Sequence, residues 1–183
     1  MIAATPLSDS IVKLRRLQEA NGSIRKTQLL REFQDDANFR NFLYYALNPM
    51  LTYKISEQTL RSPTLYDSAI TLTMTDIFSV CELLSKRKAL DAGTVYQVCA
   101  FVQSSPPDEA DVYIKLLSKT LRLGVTAKTV NKVIPNLIPE WEVQQAYPID
   151  KYPLKEGTEF WLTQKLNGVR ATYYKGRLYA RSG

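Results

Sequence analysis

From Ser8 to about Pro135, apolar residues recur every three or four positions, the spacing that gathers them on one face of an α-helix. Ser8 or Asp9 can cap a first helix carrying Ile11, Leu14 and Leu17, ended by Asn21-Gly22. Ser23 starts a second, with Ile24, Leu29, Leu30 and Phe33 on its stripe. Phe39, Phe42, Leu43, Ala46 and Leu47 form a third, which Pro49 closes. Residues 52–72 are less regular, and Ser62-Pro63-Thr64 reads as a loop. Thr75 or Asp76 opens a helix with Ile77, Val80, Cys81 and Leu84 that runs into Lys86-Arg87-Lys88. The next holds Val95, Val98, Cys99 and Val102 and breaks at Ser104-Ser105-Pro106-Pro107. Asp108, Glu109 and Asp111 suit the first turn of another, since the dipole favours anions there; Ile114, Leu117 and Leu121 lie inside and Gly124 ends it. Thr126 can cap a last helix with Val130 and Val133. The prediction is an all-α domain over residues 1–138.

The texture changes at Pro135. Pro139, Pro148 and Pro153 punctuate a stretch of weak period, which reads as a connector over 139–153. Strand signals follow in Thr158 to Leu166, Val169 to Tyr174 and Arg177 to Arg181. Lys175-Gly176 suits a two-residue hairpin loop, because glycine tolerates positive φ. Such a loop sets Tyr174 opposite Arg177, Thr172 opposite Tyr179 and Arg170 opposite Arg181. Two arginines facing each other repel, and an anion held between them removes that cost. Splayed, solvated guanidinium groups are the alternative, and a three-residue loop with a bulge would break the register.

Composition narrows the chemistry. There is no histidine, which excludes His-based triads, H-E-x-x-H metalloproteases and the common zinc fingers. Cys81 and Cys99 fall in separate helical patterns without C-x-x-C spacing and read as buried small hydrophobes. No apolar run reaches the roughly 20 residues of a membrane span, and Lys13, Arg15 and Arg16 interrupt the place of a signal peptide. A cytosolic protein without a membrane partner is expected. The net charge of +6 is uneven: residues 1–150 carry 17 Lys and Arg against 16 Asp and Glu, whereas 151–183 carry 7 against 2. An anionic partner is implied most strongly for the C-terminal part.

That part also holds the strongest chemical pattern, Lys165-Leu166-Asn167-Gly168-Val169-Arg170 followed by Arg181-Ser182-Gly183. A lysine is a nucleophile only when deprotonated, and flanking arginines, a metal ion or partial desolvation would depress its pKa. Asn167-Gly168 allows close backbone approach to a ligand, and Arg170 and Arg181 can grip phosphate or sugar oxygens. The segment resembles the K-x-D-G-x-R nucleotidyltransferase motif and downstream R-x-G element of ATP-dependent DNA ligases. Leu116-Leu117-Ser118-Lys119-Thr120-Leu121-Arg122-Leu123-Gly124-Val125-Thr126 resembles the L-x-x-x-L-R-x-G segment of their helical DNA-binding domain. Lys128 to Pro135 with Leu137-Ile138-Pro139 is similar to the end of that domain in phage-type enzymes, and Leu72-Thr73-Met74-Thr75-Asp76 to a helix start within it. The resemblance covers nearly the whole chain in order.

The resemblance implies a mainly α protein. An all-α DNA-binding domain would be followed, over 154–183, by a short β-hairpin fragment of an α+β nucleotidyltransferase (adenylation) domain. Lys165 would attack the α-phosphate of ATP, the AMP would pass to the 5′-phosphate of a DNA nick, and the 3′-hydroxyl would displace it. Mg²⁺ would neutralise phosphate charge. Gln164, Gly168, Arg170 and Arg181 would hold the nucleotide. Asn21, Ser23, Arg25, Lys26, Thr73, Thr75, Gly124, Thr126, Lys128, Asn131 and Lys132 would contact nicked double-stranded DNA, mostly through phosphates. A monomer in the cytoplasm of a bacterial or phage-infected cell is expected, with no protein metal ligand in this part. Asn167 departs from the family's usual aspartate, so that carboxylate's contribution is missing. The later motifs of the adenylation domain are absent from these residues, so the chain alone is expected not to form lysyl-AMP efficiently. Two other readings differ in class: an RNA ligase or capping nucleotidyltransferase, which shares the lysine motif, and a free-standing helical DNA-binding module without catalysis. The cluster Lys86-Arg87-Lys88 reads as a helix C-terminus, and Tyr44-Tyr45 and Tyr173-Tyr174 as packing aromatics.

Overall fold

The structure is a computed structural model that describes residues 7–62 and 74–140 and, beyond them, 150–151, 153, 155–161, 164, 167–168, 171–174 and 176–179. The chain divides into two compact units, Met1–Pro139 and Glu140–Ser182. The protein is mainly helical. Among the described residues the first unit holds α1 (Leu7–Glu19), α2 (Ser23–Phe33), α3 (Ala37–Leu47), α4 (Glu57–Arg61), α5 (Ile77–Lys86), α6 (Ala92–Ser104), α7 (Pro107–Leu117) and α8 (Ala127–Asn131). The second holds β1 (Thr172–Tyr174) and β2 (Arg177–Tyr179).

The periodic apolar positions form one core. Helix α1 buries Ser10, Ile11, Leu14 and Leu17 and packs on α2, α3 and α7. Ser8 and Asp9 lie inside its first turn, because the helix begins at Leu7. Ser10 is polar yet buried, and its hydroxyl donates to both Asp36 oxygens at 3.0 and 2.9 Å. Asp36 also caps α3 by accepting from the Phe39 N–H and pairs with Lys13 at 2.5 Å. Burial works against the Asp36 carboxylate, but the hydrogen bonds from Lys13, Phe39 and Ser10 outweigh it and hold its pKa below the usual value. Ile24 departs from the expected stripe and is 77% exposed. Nine residues at about 100° each place it opposite Phe33 on α2.

Side-chain caps set most of the other helix starts. Ser56 starts α4, a short helix within the stretch that lacks a clear apolar period. Asp76 starts α5, Asp91 starts α6 and Thr126 starts α8, each accepting from a backbone N–H two or three residues on. Cys81 and Cys99 are buried thiols, Cys99 donating to the Thr59 carbonyl at 3.6 Å, and burial pushes the Cys81 thiol up to about 12. Tyr45 stacks on Phe78 with ring centroids 5.8 Å apart, and Tyr44 packs edge-on against Tyr45. Arg87 is held by Asp91 and Thr94.

Helix α7 ends at Leu117, well short of Gly124. Lys119 takes a left-handed conformation (φ 59°), the Thr120 N–H bonds the Lys115 carbonyl and the Lys119 N–H bonds that of Leu116. This is a Schellman closure with lysine where glycine is usual. The Lys119 ammonium donates to the carbonyls of Tyr45, Ala46 and Asn48 at the end of α3 and lies 5.4 Å from the Tyr53 ring centroid. Desolvation draws its pKa down to about 8, against which the carbonyls and the ring favour the cation. Two more lysines close helix ends in this way: Lys26 at α1, through the Leu17 and Gln18 carbonyls, and Lys54 at α5, through those of Arg87 and Lys88. Such bonds satisfy carbonyls that a helix end leaves without partners.

In the second unit β1 and β2 pair antiparallel, with Thr172 opposite Tyr179, Tyr173 opposite Leu178 and Tyr174 opposite Arg177. Gly176 has φ 79° in the turn, so the register is that of a two-residue loop. Tyr173 and Leu178 face each other 72% and 73% exposed, which departs from a packing role for Tyr173. The described part of the first expected strand, Thr158–Trp161 and Gln164, is not in a strand; a strand exists only through ladder bonds to a neighbour.

Candidate nucleic-acid interface and nucleotide site

Helix α8 packs on α2, and these two helices with the turns before them carry most of the polar positions selected from the sequence. Helix α2 starts after Gly22 (φ 80°) without a side-chain cap. Asn21, Ser23 and Arg25 are exposed around this end, and the Arg25 guanidinium donates to Gln28 at 3.4 Å. Thr126, Lys128 and Lys132 are exposed around α8, where the Thr126 hydroxyl accepts from the Thr129 N–H at 3.2 Å. The loop 122–126 runs between these elements.

Two of the selected side chains are engaged inside the protein. The Lys26 ammonium donates to the carbonyls of Leu17, Gln18 and Leu123 at 3.0, 3.5 and 3.1 Å. The Asn131 amide bonds both the N–H and the carbonyl of Ile138, at 2.9 and 2.8 Å, and so clamps the chain after α8. Gly124 has φ 65°, and a Cβ there would lie 2.2 Å from the Lys26 nitrogen. Glycine serves both demands at that position.

Thr75 stands elsewhere, bonded to the Asp76 carboxylate at the start of α5, a helix that packs on α3. Thr73, Lys165, Arg170 and Arg181 lie outside the described residues. Gln164, Asn167 and Gly168 are described and exposed. Selection by helix starts and turn residues leaves out Arg122. Its side chain is exposed beside Gly124, and its carbonyl accepts from the Gln18 amide at 3.0 Å. The signal was available in the sequence, since Arg122 is the arginine of the L-R-L-G run.

Residues 151–183 contain two carboxylates, Glu156 and Glu159, and among the described residues no three carboxylate or cysteine side chains cluster as ligands. Among the described residues no helix is long and apolar enough to cross a membrane.

No family model matches the sequence. No curated protein matches it either. Among solved structures, one named Pmar-Lig_PreS3 shares the fold with a TM-score of 0.56 and 21% sequence identity, over 71% of this chain. This chain spans 31% of that structure's length.

Proposed function

We propose that this chain is the N-terminal part of an ATP-dependent DNA ligase of the phage type. Its helical unit would hold nicked double-stranded DNA, and residues 154–183 would begin the adenylation domain. The observation that carries the reading is the convergence of α2, the 122–126 loop and α8. These elements carry the exposed residues Arg25, Arg122, Lys128 and Lys132 together with exposed Asn21, Ser23 and Thr126. Cations bind phosphates by releasing condensed counterions and ignore base sequence, which suits an enzyme that must act at any nick. The ligase abbreviation in the name of the structural neighbour supports the same reading.

In the parent enzyme the Lys165 amine would attack the α-phosphorus of ATP. The bond to the β-phosphate oxygen breaks, pyrophosphate leaves, and AMP stays on the lysine nitrogen. Arg170 and Arg181, opposite each other if the observed hairpin register continues, would hold phosphate oxygens. Nick sealing then follows by transfer of AMP to the 5′-phosphate and its displacement by the 3′-hydroxyl. The chain by itself is proposed to bind DNA without completing this sequence. Labelled ATP with Mg²⁺ should leave no stoichiometric label on Lys165, and such label would overturn the claim of incompleteness.

A second reading has one specific observation in its favour. Every buried apolar side chain described, from Ile11 to Ile138, lies in the first unit, as a free-standing helical DNA-binding module would require. Competition between nicked DNA and nicked RNA duplexes tests the assignment. Preference for the DNA duplex supports a DNA ligase, and preference for RNA supports the RNA-ligase class instead. DNA binding unchanged by deletion of residues 151–183 would favour the module.

A further inference from the structure

The loop that carries Arg122 and Gly124 is tied to α1 by two side chains. The Gln18 amide donates to the Arg122 carbonyl, and the Lys26 ammonium bridges the Leu123 carbonyl to those of Leu17 and Gln18. Lys26 is half-buried and reaches the loop across 97 residues of sequence. An ammonium has three protons to donate, and three acceptors surround this one.

We propose that Lys26 and Gln18 are positioning residues of the DNA-binding surface. They fix the backbone of Arg122–Gly124 against the end of α1, so that its N–H groups and the Arg122 side chain meet the DNA backbone already in register. The inference rests on the proposed function and assigns Lys26 a task other than direct phosphate contact. Gly124 belongs to the same device. Its positive φ turns the loop, and its missing Cβ leaves room for the Lys26 nitrogen. Releasing the tie leaves the loop to be ordered on binding, which costs affinity. The cations that face the phosphates are untouched.

A phosphate contact and a positioning tie differ in their salt signature. Removing a cation that neutralises one phosphate lowers the slope of log affinity against log salt by about 0.9. Removing a tie lowers affinity and leaves that slope alone. The test is a titration of a fluorescent nicked duplex with the full chain and with Lys26→Met, Gln18→Ala, Gly124→Ala and Lys128→Met at several salt concentrations. Lys26→Met is expected to bind about tenfold more weakly with an unchanged slope, and Gln18→Ala less weakly in the same manner. Lys128→Met, the control for a direct contact, should lose close to one unit of slope. Gly124→Ala displaces the Lys26 nitrogen, so the double variant with Lys26→Met should be no worse than the weaker single one.

Hydrogen exchange at the Leu123 to Thr126 amides should quicken in Lys26→Met below its melting temperature. If Lys26→Met does not fold, Gln18→Ala, at a half-buried rim position, carries the test with the same two measurements. A slope lowered by about one in Lys26→Met, or affinity unchanged in both tie variants, overturns the inference. A full chain that does not bind the duplex at all sinks the proposed function instead, so the two failures are distinguishable.

Discussion

Lys119 shows how one residue can carry opposing local and tertiary terms. A left-handed backbone at a residue with a Cβ costs about 1–2 kcal/mol, and Lys119 accepts that at φ 59°. Its ammonium meets three carbonyls and an aromatic face in return. Hydrogen bonds to a charged group contribute about 1.5–3 kcal/mol, and the desolvation that draws the ammonium's pKa down to about 8 opposes them. Lys119→Met keeps the backbone strain and loses the ammonium, and is expected to destabilise by about 2–3 kcal/mol. Lys119→Gly relieves the strain as it loses the ammonium, and should unfold about 1 kcal/mol later than the Met variant. Urea unfolding of both measures the difference. Equal stabilities of the two variants would show that the left-handed turn carries little strain, and a glycine variant more stable than the unaltered chain would show that the three carbonyls contribute little.

At the scale of elements, aspartates start three helices and brace others. Asp36, Asp76 and Asp91 cap α3, α5 and α6, and Asp111 holds Arg61 and Lys115. All four carboxyls sit below the ordinary value in the fold, so protonation releases their partners. A carboxyl lowered on folding stabilises fully above its unfolded pKa near 3.8 and loses that contribution as pH falls through the folded value. Thermal stability should therefore be level down to about pH 5 and fall steeply below about pH 4. Differential scanning calorimetry across that range checks it, and a melting temperature that rises on acidification would contradict it. These caps also mark where the sequence is legible. Asp76 and Thr126 precede apolar runs of helical spacing, so α5 and α8 can be placed from residue types alone. Helix α4 cannot, because Leu60 is its one apolar side chain, whereas Val133 and Ile134 extend the apolar spacing of Val130 past the equally short α8. The end of α7 is hidden for another reason: the sequence pattern favours Gly124 as the stop, and only the α3 carbonyls explain why Lys119 adopts the turn.

At the scale of the whole molecule, one apolar core lies inside the first unit, and a hairpin with an exposed Tyr173–Leu178 pair lies in the second. A two-stranded hairpin in water is marginal on its own. Residues 1–139 alone should thus unfold cooperatively with nearly the melting temperature of the full chain, and a large drop on truncation would contradict a self-sufficient helical unit. The same division governs what could be read of function. The hairpin register follows from a Lys-Gly turn, and the α2–α8 patch was partly visible as residue types at loops and helix starts. Spacing along the chain could not reveal that Lys26 and Asn131 bond the protein's own backbone, because their partners lie in other turns of the fold.

The central claim is that the patch formed by α2, the 122–126 loop and α8 grips the DNA backbone. The most direct measurement is the affinity of the unaltered chain for a nicked duplex as salt is raised from roughly 50 to 200 mM. Four cations, Arg25, Arg122, Lys128 and Lys132, predict a slope near −3.6 and a loss of about a hundredfold over that range. Binding that is undetectable at the lowest salt, or that holds constant throughout, would contradict the account.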